Sequence, residues 1–501
     1  MLFNSYEFIF VFLPITLGGF FYIGSVGHHR IAISWLVAAS LIYYGWWNPA
    51  YLGLILGSIF FNYSLGVVLG QKQELPNRWI INKRGLLVIG IMLNLALLGY
   101  YKYANFFVNT VNSLGGVNFN LEKIILPLAI SFFTFQQVAY LIDAYRGEAR
   151  EYNFLHYCLF VCFFPQLIAG PIVHHKEMLP QFAKEETYKL NSENIAIGFT
   201  VFFIGLFKKV VLADTLALYV NPVFGSNGEL DLIQSWIGAL AYTFQLYFDF
   251  SGYSDMAIGI SRMFGIRLPV NFNSPYKSQS IIEFWRRWHI TLSVFLRDYL
   301  YFSLGGNRKG KIRTQVNLML TMLLGGLWHG AGWTFVVWGG LHGLYLILNH
   351  MLRSLVTVLG IRHIQDNLIT QVVSRLFTFI AVVIGWVFFR ATDFAQANNI
   401  LLSMAGENGI AQVSLKQDIP AFLLLAISFF IVWCLPNAQE YMHRYKLSNK
   451  GIPIKQRPGM LGHLLLFQFN KTSVVVTTLF VLIAFLMLQS VVKSEFLYYD
   501  F

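Results

Sequence analysis

The chain has 501 residues, of which 56% are hydrophobic and 12% charged, with a formal net charge of +12 at pH 7. Soluble domains carry about 25% charged residues, so half that share excludes an ordinary water-soluble globule. The basic excess sits in short connections between apolar runs, which is the positive-inside pattern and argues against nucleic acid as a partner.

Apolar runs near the roughly 20 residues needed to cross a bilayer recur along the whole chain. They fall at 8–24, 31–47, 50–69, 86–104, 124–142, 155–173, 194–212, 232–250, 314–329, 333–350, 369–389, 418–436 and 473–492. The pattern predicts an all-α polytopic membrane protein of about 11–13 transmembrane helices with re-entrant segments. No repeat, low-complexity linker or composition shift marks a second domain, so residues 1–501 read as one integral-membrane domain. The start, Met1-Leu2-Phe3-Asn4-Ser5-Tyr6-Glu7, lacks a basic n-region and a small-residue cleavage site, so the first run reads as a retained span. The most basic connections are 72–84, 297–313 and 443–457. Placing all three in the cytoplasm puts the N-terminus and the tail 494–501 outside, with a small cytoplasmic corner at His28-His29-Arg30. Cys158, Cys162 and Cys434 support neither a disulfide framework nor a cysteine metal site, and no other metal-ligand spacing occurs. Residues 155–173 contain Pro165 and end in Ala169-Gly170-Pro171, so a broken or re-entrant segment is as natural as a clean span.

Polar motifs gather further on. Residues 245–255 read Gln-Leu-Tyr-Phe-Asp-Phe-Ser-Gly-Tyr-Ser-Asp inside an apolar stretch. Asp249, Ser251 and Asp255 would orient a histidine or line a polar cavity. The simpler reading is a helix–turn–helix elbow, with Asp and Ser capping a second helix near Ser251-Gly252. Residues 283–298, drawn as one helix, put Arg286, His289, Ser293 and Arg297 within about 80° of one face. Trp285, Trp288, Leu292, Phe295 and Leu296 form the apolar face beside them. Either this helix lies in the membrane interface with its arginines on lipid head groups, or it re-enters and turns His289 into a central cavity.

Residues 327–333, Leu-Trp-His-Gly-Ala-Gly-Trp, place an imidazole and a glycine break inside a hydrophobic run. Both are costly at membrane depth unless they face protein or a water-filled cavity, so His329 is the leading candidate for a general base. The alternative is a core histidine hydrogen-bonded between helices, with Trp328 and Trp333 in an aromatic belt. His342, in Gly339-Gly340-Leu341-His342-Gly343, competes for the same role, although its small neighbours suit close helix packing.

Read together, these strings resemble the membrane-bound O-acyltransferase family, and within it the branch that O-acetylates alginate. The resemblance runs through nearly the whole chain. It is carried by Leu2-Phe3-Asn4-Ser5 with Phe8, Ser131-Phe132-Phe133-Thr134-Phe135-Gln136, Phe164-Pro165-Gln166-Leu167-Ile168-Ala169-Gly170-Pro171-Ile172, residues 248–257, Asn271-Phe272-Asn273-Ser274-Pro275-Tyr276, Phe284-Trp285-Arg286-Arg287-Trp288-His289 and residues 325–330. One departure is His174-His175, where the family more often has an arginine.

The resemblance implies a basin-like helical fold with a thin centre reached from both sides of the membrane, its catalytic core at about 124–350. It implies that His329 and His289 are the catalytic pair, His329 taking the hydroxyl proton and His289 orienting or polarising the acyl group. Asp249, Ser251, Asp255, Trp285, Ser293 and Trp328 become candidates to line the cavity or orient these rings. Arg286, Arg287 and Arg297, with Arg308, Lys309, Lys311 and Arg313 near the same side, would hold donor phosphates; for the last four, plain positive-inside anchoring serves equally well. It further implies acetyl-CoA or an acyl carrier as donor, no bound cofactor, an extracytoplasmic esterase-like (SGNH-type) acetyltransferase as partner, and a bacterial inner membrane. The acceptor would be alginate, another exopolysaccharide such as cellulose, or peptidoglycan. D-alanyl transfer to teichoic acid is the neighbouring enzymatic reading, and a transporter or flippase using the same histidines is the reading from another class.

Overall fold

A computed structural model describes residues 1–71, 82–149, 153–226, 228–360, 367–410, 418–448, 466–490 and 496–497. All regular elements among the described residues are helices, which is how a chain satisfies its own backbone in hydrocarbon. Most of connections 72–84 and 443–457, and the tail apart from Phe496 and Leu497, lie outside the described residues. Among the described residues, seven helices are long and apolar enough to cross a membrane: Phe8–Ser25, Ala50–Gly70, Lys83–Gly115, Ser192–Phe224, Trp333–Val358, Leu368–Arg390 and Lys471–Gln489. The all-α, multi-pass architecture expected from the hydropathy pattern therefore stands. The other six runs fall in helices that are shorter, broken or interrupted by polar side chains.

The chain packs as two compact units. The first is built chiefly from Met1–Phe202 and Met256–Pro269. It opens with a π-helical turn, Phe8–Phe12, running into α1 (Leu13–Ser25), then α2 (His29–Gly45), α3 (Ala50–Gly70) and α4 (Lys83–Leu98). A second π-helical turn, Gly99–Tyr103, leads to α5 (Ala104–Gly115), followed by α6 (Ile130–Tyr145), α7 (Phe154–Cys162), α8 (Phe164–Leu167), α9 (His175–Phe182) and α10 (Ser192–Phe207), whose residues from Phe203 onward belong to the second unit. Asn62 and Asn94 join α3 to α4 through two buried reciprocal amide bonds of 3.1 and 2.8 Å, the interhelical polar contact that substitutes for a hydrophobic driving force in lipid.

The segment 155–173 is broken. The helix stops at Phe163 and restarts with Pro165 in its first turn, where a missing N–H costs nothing. Polar partners meet the break: Phe164 N–H donates to Ser40 Oγ of α2 (3.2 Å) and Gln166 Nε2 to the Phe160 carbonyl (2.6 Å). At the unusual His174-His175 pair, His175 is buried with Nδ1 3.7 Å from an Asp143 carboxylate oxygen. Burial pushes its pKa down to about 4, so the ring is neutral at pH 7 and the contact is not an ion pair.

The second unit is built chiefly from Phe203–Asp255 and Val270–Lys446. A π-helical turn, Lys208–Ala213, continues into α11 (Asp214–Phe224), then comes α12 (Leu232–Met263). After α13 (Ile281–Trp285) and α14 (Ile290–Phe295) a further π-helical turn, Leu296–Tyr301, precedes α15 (Lys311–His329) and α16 (Trp333–Val358). The set closes with α17 (Leu368–Arg390), α18 (Phe394–Met404) and α19 (Asp418–Cys434). Helices α15 and α16 form a tight hairpin around Gly330-Ala331-Gly332. A Cβ on Gly326 would fall 2.2 Å from the Phe335 carbonyl oxygen, and one on Gly339 2.3 Å from that of Met322. The glycines thus let the two backbones touch and fix His329 at the very end of α15.

Candidate active site

The stretch 283–298 is not one helix, as its periodicity suggests. It is α13, a turn and α14, and His289 sits at the turn with φ +39° and ψ +55°. A side chain in this left-handed region costs about 1–3 kcal/mol and persists only where its surroundings hold it. Here the Asn273 N–H donates to the Arg287 carbonyl and the Ile290 N–H to the Asn271 carbonyl, both at 2.9 Å. The expected polar stripe is therefore dissolved. His289 is fully buried, Arg286 and Arg297 are exposed, and Ser293 is half-buried, its hydroxyl donating to the Trp288 carbonyl at 3.3 Å.

His329 is 2% exposed and lies beside His289, with ring centroids 6.3 Å apart. Aromatic rings wall the pair. Trp328 packs 5.0 Å from His329 and 6.2 Å from His289. Trp338 stands edge-on to His329 at 5.1 Å, Phe389 at 5.3 Å, and Phe250 edge-on to His289 at 4.8 Å. His289 Nδ1 lies 3.3 Å from Asn271 Oδ1.

His342 is also fully buried, but its Nδ1 accepts the indole N–H of Trp285 at 3.3 Å. That lone pair is occupied, so a neutral His342 carries its proton on Nε2 and has no basic nitrogen to offer. Trp285 therefore orients His342, within a stack that includes Phe284 at 6.0 Å and Trp338 at 5.0 Å.

The carboxylates have another fate. The proposed elbow at Ser251-Gly252 does not exist, because α12 runs unbroken through it. Gly252 instead allows close approach: a Cβ there would fall 2.7 Å from the Gly205 carbonyl oxygen and 3.2 Å from Lys208 Cβ. That approach sets two lysines against α12. Lys208 pairs with Asp255 at 2.6 Å, while Lys209 pairs with Asp249 at 2.7 Å and with Asp214 at 2.9 Å. The Leu497 N–H donates to the other Asp249 oxygen at 3.0 Å, and the Phe496 ring lies 4.8 Å from the Lys209 ammonium. Asp249 and Asp255 are thus counter-ions rather than partners of a histidine, and buried Ser251 sits on α12 between them. The sequence reading missed Lys208, Lys209 and Asp214, although two lysines inside the apolar run 194–212 were a visible signal. It also missed Asn271.

Of the donor-binding candidates, Arg287 gives one nitrogen to Glu283 at 2.7 Å and another to the Asn273 carbonyl at 3.2 Å. Arg297 forms a two-pronged pair with Asp298 at 2.7 and 3.1 Å. Arg286 is exposed and takes part in neither pair.

A buried, aromatic-walled pair of histidines in a multi-pass helical protein marks the candidate site, since such polar groups are costly in an apolar setting. Residues 89–389 match the model of the membrane-bound O-acyltransferase family. Along its whole length the chain is 42% identical to a peptidoglycan O-acetyltransferase of Helicobacter pylori, covering 98% of that protein. It is 39% identical to a probable alginate O-acetylase AlgI of Pseudomonas putida, with both chains covered completely. A teichoic acid D-alanyltransferase of Streptococcus thermophilus is 27% identical over 77% of this chain and 94% of its own. The chain belongs to the membrane-bound O-acyltransferase family, and His289, His329 and His342 all fall within the matched residues.

Proposed function

We propose that this protein moves acetyl groups from a cytoplasmic thioester, acetyl-CoA, toward hydroxyls of an extracytoplasmic polysaccharide, working in the bacterial inner membrane. One observation carries the reading: His289 and His329 are brought 6.3 Å apart, buried and walled by indole and phenyl rings. In such a setting the charged imidazolium is disfavoured, so a neutral ring is ready to accept a proton. His329 takes the proton of the attacking hydroxyl; the new C–O ester bond forms as the C–S thioester bond breaks, and the departing thiolate takes up a proton. His289 orients the acyl group. The exposed Arg286 contributes to holding donor phosphates.

An acetyl cargo is favoured over D-alanyl by the 42% and 39% identities along the whole chain to proteins named for O-acetylation. Peptidoglycan and alginate-like polymers are the acceptors those names support. An extracytoplasmic esterase-like transferase would complete delivery to the polymer. The test is thioester cleavage of radiolabelled acetyl-CoA by purified protein in lipid nanodiscs, with membrane extract supplying any partner. Cleavage by wild type that disappears in His329→Ala supports the reading. Equal cleavage by both proteins removes His329 from the chemistry, and none by either removes acetyl-CoA as donor.

A further inference from the structure

Beside His289 lies Asn271, a buried residue outside the proposed catalytic pair. Asn271 is fully buried on the loop that follows α12. Its Oδ1 accepts the Thr291 hydroxyl at 2.6 Å and faces the Thr291 backbone N–H at 3.4 Å. A backbone N–H can only donate, so the Asn271 atom turned toward it is the carbonyl oxygen and not the amide nitrogen. The amide nitrogen then donates to Ser254 Oγ at 3.4 Å. With the amide's orientation settled, the group 3.3 Å from His289 Nδ1 is an acceptor. An acceptor requires a proton opposite, so the neutral ring carries its hydrogen on Nδ1 and its lone pair on Nε2.

The same residue fixes the backbone. Its carbonyl accepts the Ile290 N–H at 2.9 Å, immediately after the left-handed turn at His289. One asparagine therefore grips the histidine at its ring and its main chain. The titratable ring packed against His289 is His329, and Phe250 and Trp328, which also pack against it, carry no charge.

We propose that Asn271 is a positioning residue for acyl transfer, holding His289 in the Nδ1–H tautomer so that Nε2 presents a lone pair rather than an N–H to the reacting groups. This rests on His289 taking part in the reaction. Wrong-tautomer variants of a histidine held this way elsewhere lose about 10⁴ in rate. The general contribution of a positioned acid–base group is about 10²–10⁴.

The experiment uses the full chain in membrane vesicles with radiolabelled acetyl-CoA, following rate against pH and donor concentration for wild type, His289→Ala, Asn271→Leu, Asn271→Asp and Thr291→Val. Asn271→Leu removes the acceptor and is expected to lose about 100-fold or more in kcat at unchanged donor KM. Asn271→Asp keeps an acceptor and adds a negative charge that favours imidazolium, so it retains measurable rate with the acid limb of the pH profile moved to higher pH. Thr291→Val leaves the acceptor in place and stays within about tenfold of wild type. If His289→Ala is inactive while Asn271→Leu keeps wild-type kcat and pH profile, the positioning role is wrong and the reading of His289 survives. If His289→Ala is fully active, both fall together. Should Asn271→Leu fail to accumulate in the membrane, Asn271→Asp decides: an unshifted acid limb overturns the proposal.

Discussion

The second unit buries two polar clusters, and they are built on opposite principles. Around Lys208 and Lys209, charge is closed against charge: three carboxylates meet two ammonium groups at 2.6–2.9 Å. Around His289 and His329 pack indole and phenyl rings, and a carboxamide faces His289 Nδ1. A buried ion pair whose partners match spends its electrostatics on holding helices in register. A buried neutral imidazole is poised instead to change its charge during a reaction. On the proposed function, the difference separates groups that serve the fold from groups left for chemistry, although both classes look alike as polar residues in an apolar run.

The sharpest test of that division is His329→Ala. The expected loss of transfer is about 10²–10⁴-fold with membrane abundance unchanged, read by base-released acetate from the cell envelope against immunoblotted protein. A matching fall in abundance would place His329 among the structural groups. Next comes Lys209→Met, which leaves Asp214 and Asp249 buried without their shared cation. Removing one partner of a buried pair costs about 3–5 kcal/mol, so this variant should lose most of its folded protein, seen as aggregation on detergent size-exclusion chromatography. Wild-type abundance with lost activity would move the lysine cluster into the catalytic class. A smaller effect is expected from Trp285→Phe, which strips the donor from His342 Nδ1. It should cost about 1–3 kcal/mol of thermal stability while the rate stays within about threefold.

Much of this division could be read from the sequence, for physical reasons that also explain the rest. His329 stood out because an imidazole followed by a glycine break is expensive in hydrocarbon wherever it lies, a local property. At Pro165 the sequence left a break and a clean span equally open, because a proline in the first turn of a helix is tolerated while one in its interior breaks it. Gly252 was misread because glycine in a helix interior normally costs stability and suggests a break, whereas here it admits the Gly205 backbone. That contact depends on packing, as does the pairing of Asp249 with Lys209 from a different helix. The turn at His289 was hidden because an apolar period of 3.6 continued through it. Its left-handed backbone is imposed by Asn271 and Asn273, which the chain brings back from the loop beyond α12. Family resemblance named His289 where periodicity mis-set its surroundings.

The smallest expected effects concern the arginines, and they sharpen the same distinction at the protein surface. Arg297 is half satisfied by its own neighbour, since Asp298 engages two of its nitrogens, and an exposed pair of this kind is worth about 0–1 kcal/mol. Arg297→Gln should therefore leave both stability and donor KM within about twofold. Arg286 is exposed outside that pair and outside the Glu283–Arg287 pair, so its charge is open to a phosphate. Losing one solvent-screened contact worth about 1 kcal/mol should raise the acetyl-CoA KM about fivefold for Arg286→Gln, with kcat unchanged. A reversed ranking, with Arg297 setting KM and Arg286 silent, would mean that the donor breaks the Asp298 pair on binding. The phosphates would then lie along the π-helical turn Leu296–Tyr301 rather than beside α13.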